Sequence, residues 1–200
     1  MTAILENLFG SKERARLLRF FIQNPDNSYA FSEIAKRNML RGPKVKREID
    51  NLFKMKFILR KTVKGKPAYH LNQEFEFYPE LKSLIAKSNV SPHCQSLSKV
   101  PKIGNIKLTV VSGAFINYQK SKADMIIVGN EISKAKLNRL MEGLEAEIGK
   151  EINFVLMNME EFKYRLNMLD KFVLEFLEGP HEEIINKIPG LKQFIAKRKM

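Results

Sequence analysis

Apolar residues in the first seventy positions recur at spacings typical of short helices, with one short strand between them. A stripe at every third or fourth position predicts a helix over residues 12–23, with Ser11 as its N-cap. A strand over residues 29–31 is predicted next. It is followed by a helix over residues 33–38, for which Ser32 is the expected cap.

A second amphipathic helix is predicted over residues 44–56, directly after a Gly-Pro turn. Two strands follow, over residues 57–62 and 68–72, joined by a basic loop at residues 63–67. The side chains of this helix that we expect to face the core are Val45, Ile49, Leu52 and Phe53.

Further along, prolines and polar residues interrupt the apolar pattern over residues 89–104, which we expect to be a linker between domains at residues 1–88 and 105–200.

In the second half, apolar runs predict strands at positions that alternate with helices. Strands are predicted over residues 105–111, 123–129 and 151–157, with a helix over residues 134–148 before the last of them. The tail from His181 onward is predicted to be helical.

Composition excludes several classes of protein. No stretch of the 200 residues approaches the roughly 18 to 20 apolar positions that a membrane span needs, so we expect no membrane partner. The first residues lack the apolar region of a signal peptide, which favours a cytoplasmic location. The single cysteine, Cys94, excludes an internal disulfide framework and a cysteine-rich zinc site. With only three histidines besides, we expect no metal and no other cofactor.

The distribution of charge points to a partner. Lys and Arg number 35 against 22 Asp and Glu, a net charge of +13. Residues 1–72 hold 16 basic and 6 acidic side chains, whereas residues 101–200 hold 16 and 13. Between Lys36 and Lys66 there are 12 basic residues and only two acidic ones. Such a one-sided density attracts polyanions, and nucleic acid is the leading candidate.

The order helix, short strand, helix, turn, helix and basic hairpin over residues 5–75 resembles the winged helix-turn-helix superfamily, particularly the ArsR-like and MarR-like transcriptional regulators. The resemblance implies that double-stranded DNA is the partner, with the helix after the turn in the major groove and the hairpin on neighbouring phosphates. Some winged helices bind RNA or protein instead, and this alternative stays open. The implied DNA-binding residues are Lys36, Arg41, Lys44, Lys46, Arg47, Asn51, Arg60, Lys61, Lys64 and Lys66.

The second half resembles the polymerase-beta-like nucleotidyltransferase fold. In active members of that family a Gly-Ser turn holds the triphosphate, and an Asp-x-Asp pair with a third carboxylate holds two Mg²⁺ ions. Gly113-Ala114 matches the Gly-Ser turn, and Lys122-Ala123-Asp124 matches Asp-x-Asp. Asn153 matches the third carboxylate, with Glu151 as an alternative. The implied fold class is therefore α+β, a winged helix domain followed by a small α/β domain with a mixed sheet.

The departures from this pattern imply an inactive site. A lysine replaces one carboxylate, a neutral amide replaces another, and the phosphate-binding serine is missing, so we expect neither catalytic residues nor bound metal. A lysine in such a site could instead pair with a phosphate, or be idle. The residues of this candidate nucleotide or anion site are Ser112, Gly113, Lys122 and Asp124.

Three functions follow as hypotheses. The first is a DNA-binding transcriptional regulator whose second domain serves ligand sensing or assembly. The second is an active nucleotidyltransferase that modifies a protein or RNA through a divergent metal site. The third is a protein-interaction module. A winged helix homodimer would recognise two half-sites about one DNA turn apart, and the sequence leaves open whether the chain dimerises.

Overall fold

A computed structural model describes residues 2–87 and 94–198 of the chain. Helices and two separate sheets confirm the α+β class. Contacts divide the chain into two units. The first comprises the described part of residues 1–94 together with Glu142–Glu151, and the second comprises Gln95–Met141 with the described part of residues 152–200.

The first unit is a helical core with a three-stranded antiparallel sheet. The sheet order is β1-β3-β2. In chain order, the elements are α1 (Thr2–Leu8), α2 (Lys12–Gln23), β1 (Ser28–Ala30), α3 (Phe31–Arg37), α4 (Pro43–Lys54), β2 (Ile58–Val63), β3 (Lys66–Leu71) and α5 (Tyr78–Lys87).

Local capping explains where the first helices begin. The predicted bounds of α2 are confirmed, and the Ser11 hydroxyl accepts a hydrogen bond from the Arg14 N–H at 3.2 Å. The predicted cap of α3 is wrong. The chain passes directly from β1 into α3, so Ala30 takes the N-cap position without a side-chain bond and Ser32 falls within the first turn.

The β2–β3 hairpin is longer than the sequence analysis predicts. Pairing continues as far as Val63 and Lys66, which leaves only Lys64-Gly65 as the turn instead of a five-residue loop. The φ angles of Lys64 and Gly65 are 51° and 75°. Two successive left-handed residues define the tight turn that matches the twist of paired strands.

The second unit is built around a four-stranded mixed sheet of order β6-β5-β4-β7. Strands β4 and β5 are antiparallel, β5 and β6 are parallel, and β4 and β7 are antiparallel. In chain order, the elements are β4 (Asn105–Val111), β5 (Met125–Asn130), α6 (Lys134–Ile148), β6 (Phe154–Met157), α7 (Met159–Asn167), α8 (Lys171–Glu178), β7 (Glu182–Asn186) and α9 (Leu191–Arg198). Helix α6 contributes residues to both units.

The tail departs from the prediction at one element. Residues from His181 onward were expected to be helical, but Glu182–Asn186 forms β7 and pairs with β4. The adjacent β-branched pair Ile184-Ile185 suits a strand, and the free edge of β4 supplies its hydrogen-bonding partners. Helix α9 follows.

Part of the predicted linker is structured. Gln95–Lys102 forms a 3-10 helix, and its Leu97 and Val100 side chains are buried. The side chain of Cys94, just before it, is buried. Within the two described ranges, no helix is long and apolar enough to cross a bilayer.

Candidate functional site

The two faces of α4 differ completely in character. Val45, Ile49 and Leu52 are at most 1% exposed and anchor the helix in the core of the first unit. The prediction that Phe53 also faces the core is wrong: this side chain is 39% exposed and lies against the Arg60 guanidinium. Around the rest of the helix, the predicted DNA-binding residues are exposed, apart from Asn51, which is half-buried: Lys44, Lys46, Arg47 and Asn51. The helix therefore presents a cationic surface and is fixed from behind.

The β2–β3 hairpin extends beyond the core. Every residue from Leu59 to Pro67 is exposed, so neither face of this ribbon is covered by the described part of the chain. It carries the predicted residues Arg60, Lys61, Lys64 and Lys66. The guanidinium carbon of Arg60 lies 5.5 Å from the centre of the Phe53 ring, which links the hairpin to the end of α4.

Within the described part of the chain, none of the nine predicted cations forms an ion pair with a carboxylate. Their positive charge is therefore not offset by a direct ion pair in this part of the chain. We call the exposed side chains of α4 and the β2–β3 hairpin the basic face. Seven of the nine predicted cations lie on it and two, Lys36 and Arg41, lie beside it; the seven are Lys44, Lys46, Arg47, Arg60, Lys61, Lys64 and Lys66.

Lys36 and Arg41 lie beside this surface, on α3 and in the turn before α4. Both line a cavity of about 850 Å³ within the first unit. A third cation of the same cavity, Arg37, is neutralised, because it bonds Glu33 at 3.1 Å and Glu151 at 2.8 Å. Glu151, which the sequence offers as an alternative third carboxylate, thus forms an ion pair within the first unit.

The basic face includes one cation, Lys54, that was not among the predicted DNA-binding residues. Lys54 is exposed and lies seven residues after Arg47, two helical turns along the same side of α4. The i+7 spacing was visible in the sequence. Lys54 is also the last residue of α4, where a basic side chain has an ordinary role at the helix C-terminus, so its spacing alone does not mark it as a binding residue.

In the second unit, two residues of the candidate nucleotide or anion site, Gly113 and Asp124, lie close together. Oδ1 of Asp124 accepts a hydrogen bond from the Ala114 N–H at 2.6 Å, and Oδ2 accepts one from the Asn153 N–H at 2.9 Å. Gly113 has a φ of 51°, and a Cβ there would overlap Oδ1 of Asp124. The glycine thus permits close approach of the Asp124 carboxylate to the turn.

Asn153, Ser112 and the nearby Ser121 also form hydrogen bonds around this turn. The Asn153 side-chain amide donates to the Lys122 carbonyl at 2.9 Å. The Ser112 hydroxyl donates to the Pro180 carbonyl at 2.7 Å, and the Ser121 hydroxyl donates to the Ala123 carbonyl at 2.6 Å. These polar groups are bonded mainly to backbone, so their first role is to hold the turn and the strand ends.

The Lys122 ammonium is also occupied. It donates to the Glu175 carboxylate at 2.7 Å, and this hydrogen bond lowers the pKa of Glu175. Both side chains border a cleft of about 380 Å³ that Lys120 and Glu178 line as well. Two lysines and two glutamates leave this cleft without an excess of positive charge.

The described residues do not contain a group of three or more His, Cys, Asp or Glu side chains that could hold a metal ion. Of the three residues that the sequence analysis compares with the carboxylates of the nucleotidyltransferase pattern, Lys122 and Asn153 are not anions, so Asp124 is the one anion among them. This donor set does not suit two Mg²⁺ ions.

Comparisons with known proteins add no assignment: no family model, no curated protein and no solved structure matches this chain.

Proposed function

We propose that this protein is a DNA-binding transcriptional regulator, in which the winged helix of residues 1–88 contacts the duplex. The observation that carries the proposal is the basic face, whose cations have no carboxylate partners among the described residues. An amphipathic helix of the dimensions of α4 fits the major groove, and a two-stranded ribbon reaches the adjoining backbone. The order of helices and strands in the first unit supports this arrangement.

Electrostatics makes the proposal testable through salt. Each Lys or Arg that neutralises a phosphate releases counterions, so affinity falls steeply as salt rises. A protein partner bound through the exposed apolar side chains of the same surface, such as Phe53 and Val63, would respond weakly to salt. Salt dependence therefore separates the regulator from the protein-interaction module.

The experiment is fluorescence anisotropy of a labelled random duplex titrated at several salt concentrations. The Lys44→Glu/Arg47→Glu protein should bind roughly 100-fold more weakly at low salt, because two phosphate contacts become repulsions. The matched control is Lys134→Glu/Lys136→Glu, an equal charge change at exposed positions of α6 in the second unit. Equal losses in both proteins, or no binding by the native chain, would contradict the proposal.

For the second unit we propose a nucleotidyltransferase-like fold that serves sensing or assembly and carries out no transfer reaction. The bonding of both Asp124 oxygens to backbone N–H groups supports this. Incubation with labelled ATP or CTP and Mg²⁺ or Mn²⁺ tests it. Label transfer that is abolished by Asp124→Ala would establish the enzyme instead.

A further inference from the structure

The basic face contains one exposed carboxylate, Asp50, although a negative charge weakens the attraction of this surface for polyanions. Asp50 is exposed on α4, three residues after Arg47 and four before Lys54. These spacings place the three residues on one side of the helix, opposite Val45 and Ile49. Asp50 therefore lies within the part of α4 that is turned farthest from the core.

The other acidic residue of α4, Glu48, has a structural role, and its burial and hydrogen bonds differ from those of Asp50. Glu48 has a side chain that is 13% exposed and takes two hydrogen bonds from the Arg14 guanidinium, at 2.9 and 3.3 Å. It joins α4 to α2. No hydrogen bond or ion pair to the Asp50 side chain occurs within the described residues, although Lys46 and Lys54 lie four positions away on either side.

A carboxylate on a surface that binds a polyanion opposes that binding unless it meets a hydrogen-bond donor. The major groove offers such donors on base edges. Cytosine presents its N4 amino group without a neighbouring acceptor on the same base, whereas adenine places its N7 acceptor beside the N6 amino group. A carboxylate is therefore better matched to cytosine.

We infer that Asp50 determines base specificity by accepting a hydrogen bond from the N4 amino group of a cytosine in the major groove. The inference rests on the proposed DNA binding. The cations of the basic face supply affinity for any duplex, and Asp50 supplies a preference among sequences.

Selection from a duplex library with randomised positions tests the inference, followed by anisotropy on the selected sites. The native chain should bind its selected site at least roughly fivefold more tightly than the same site in which another base replaces the cytosine. Asp50→Ala should lose this ratio and bind random duplex more tightly, since a negative charge is gone. Asp50→Asn should shift the preference to adenine, because an amide matches its N6 and N7.

Glu76→Ala is the matched control, because it removes one negative charge from an exposed position outside α4. It should keep the cytosine preference. An unchanged preference in Asp50→Ala, or a native chain that binds all duplexes equally, would overturn the inference and leave DNA binding intact. A native chain that binds no duplex would overturn the proposed function itself. Folding is not at risk, since Asp50 is exposed and alanine favours helix.

Discussion

The charged groups of the basic face and those around Asp124 differ in whether they are paired within the chain. In the first unit, the cations of α4 and the hairpin have no acidic partner among the described residues. In the second unit, Asp124 binds two backbone N–H groups and Lys122 binds Glu175. The sequence predicts a binding site in both regions, because charged residues occur in each at positions typical of such sites.

The difference shows that a residue type at a motif position is a weak guide until its partners are known. A charged side chain paired within its own chain contributes to the fold, and its pairing must be broken before it binds anything else. An unpaired cation on a fixed helix requires no such step. The two regions therefore make separable predictions about stability and about binding.

The largest expected effect on stability concerns Asp124. Asp124→Ala should lower the free energy of unfolding of the second unit by about 2 kcal/mol, because two backbone N–H groups lose a charged acceptor. Amide hydrogen exchange of Ile126 and Ile127 on β5 measures this locally, since both residues are buried in the sheet.

A carboxylate held ready for metal would behave differently. Its removal would leave stability unchanged or raised, since catalytic groups are commonly kept at a cost in stability. Glu160→Ala at an exposed position of α7 is the control and should change stability by less than about 0.5 kcal/mol. Equal exchange rates in Asp124→Ala and the native chain would contradict a structural role.

Local patterns in the sequence predicted the elements that depend on local interactions. The bounds of α2, β4 and α6 agree with the predictions to the residue. Their apolar periodicity is strong, and an N-cap or a following glycine marks an end of each helix. The half-buried strand β7 has no alternation in burial, and its partner Leu108 precedes Asn186 by more than seventy positions. Such a pairing leaves no local signal.

The same limit applies to the candidate sites. The exposed position of Arg47 follows from the apolar stripe of α4 alone, so it could be predicted. The pairing of Lys122 with Glu175 joins residues 53 positions apart, which no spacing rule connects. The close approach of Asp124 to Gly113 also depends on how two strand ends meet. The sequence suggested which residues gather there, while their bonding required the fold.

An effect of intermediate size is expected when Lys122, which is paired with Glu175, is converted into an unpaired cation like those of the basic face. Glu175→Gln removes the charge that holds Lys122 and should raise the affinity for ATP about fivefold, the order of one exposed ion pair. Isothermal titration measures the affinity, and Glu160→Gln is the control. Lys122→Met added to Glu175→Gln should abolish the gain. An ATP affinity that is unchanged in Glu175→Gln would contradict the hypothesis that this cleft binds anions.

The smallest expected effect separates stability from binding at a single residue. Lys64 occupies a left-handed conformation in the hairpin turn, where asparagine before glycine is strongly preferred. Lys64→Asn should raise the free energy of unfolding by about 0.5 kcal/mol, because asparagine adopts this conformation at less cost. It should also weaken duplex binding and reduce the salt slope by about 0.9, the value for one phosphate contact.

Lys66→Asn provides the comparison, since it removes an equal charge from the first position of β3, outside the left-handed turn. It should weaken duplex binding similarly but leave stability unchanged or lower, because asparagine is disfavoured in strands. Opposite signs for stability and binding in Lys64→Asn alone would mean that the lysine is held in an unfavourable conformation for its contact with the DNA backbone. Native affinity in Lys64→Asn would instead limit the contact surface to α4 and exclude the hairpin tip.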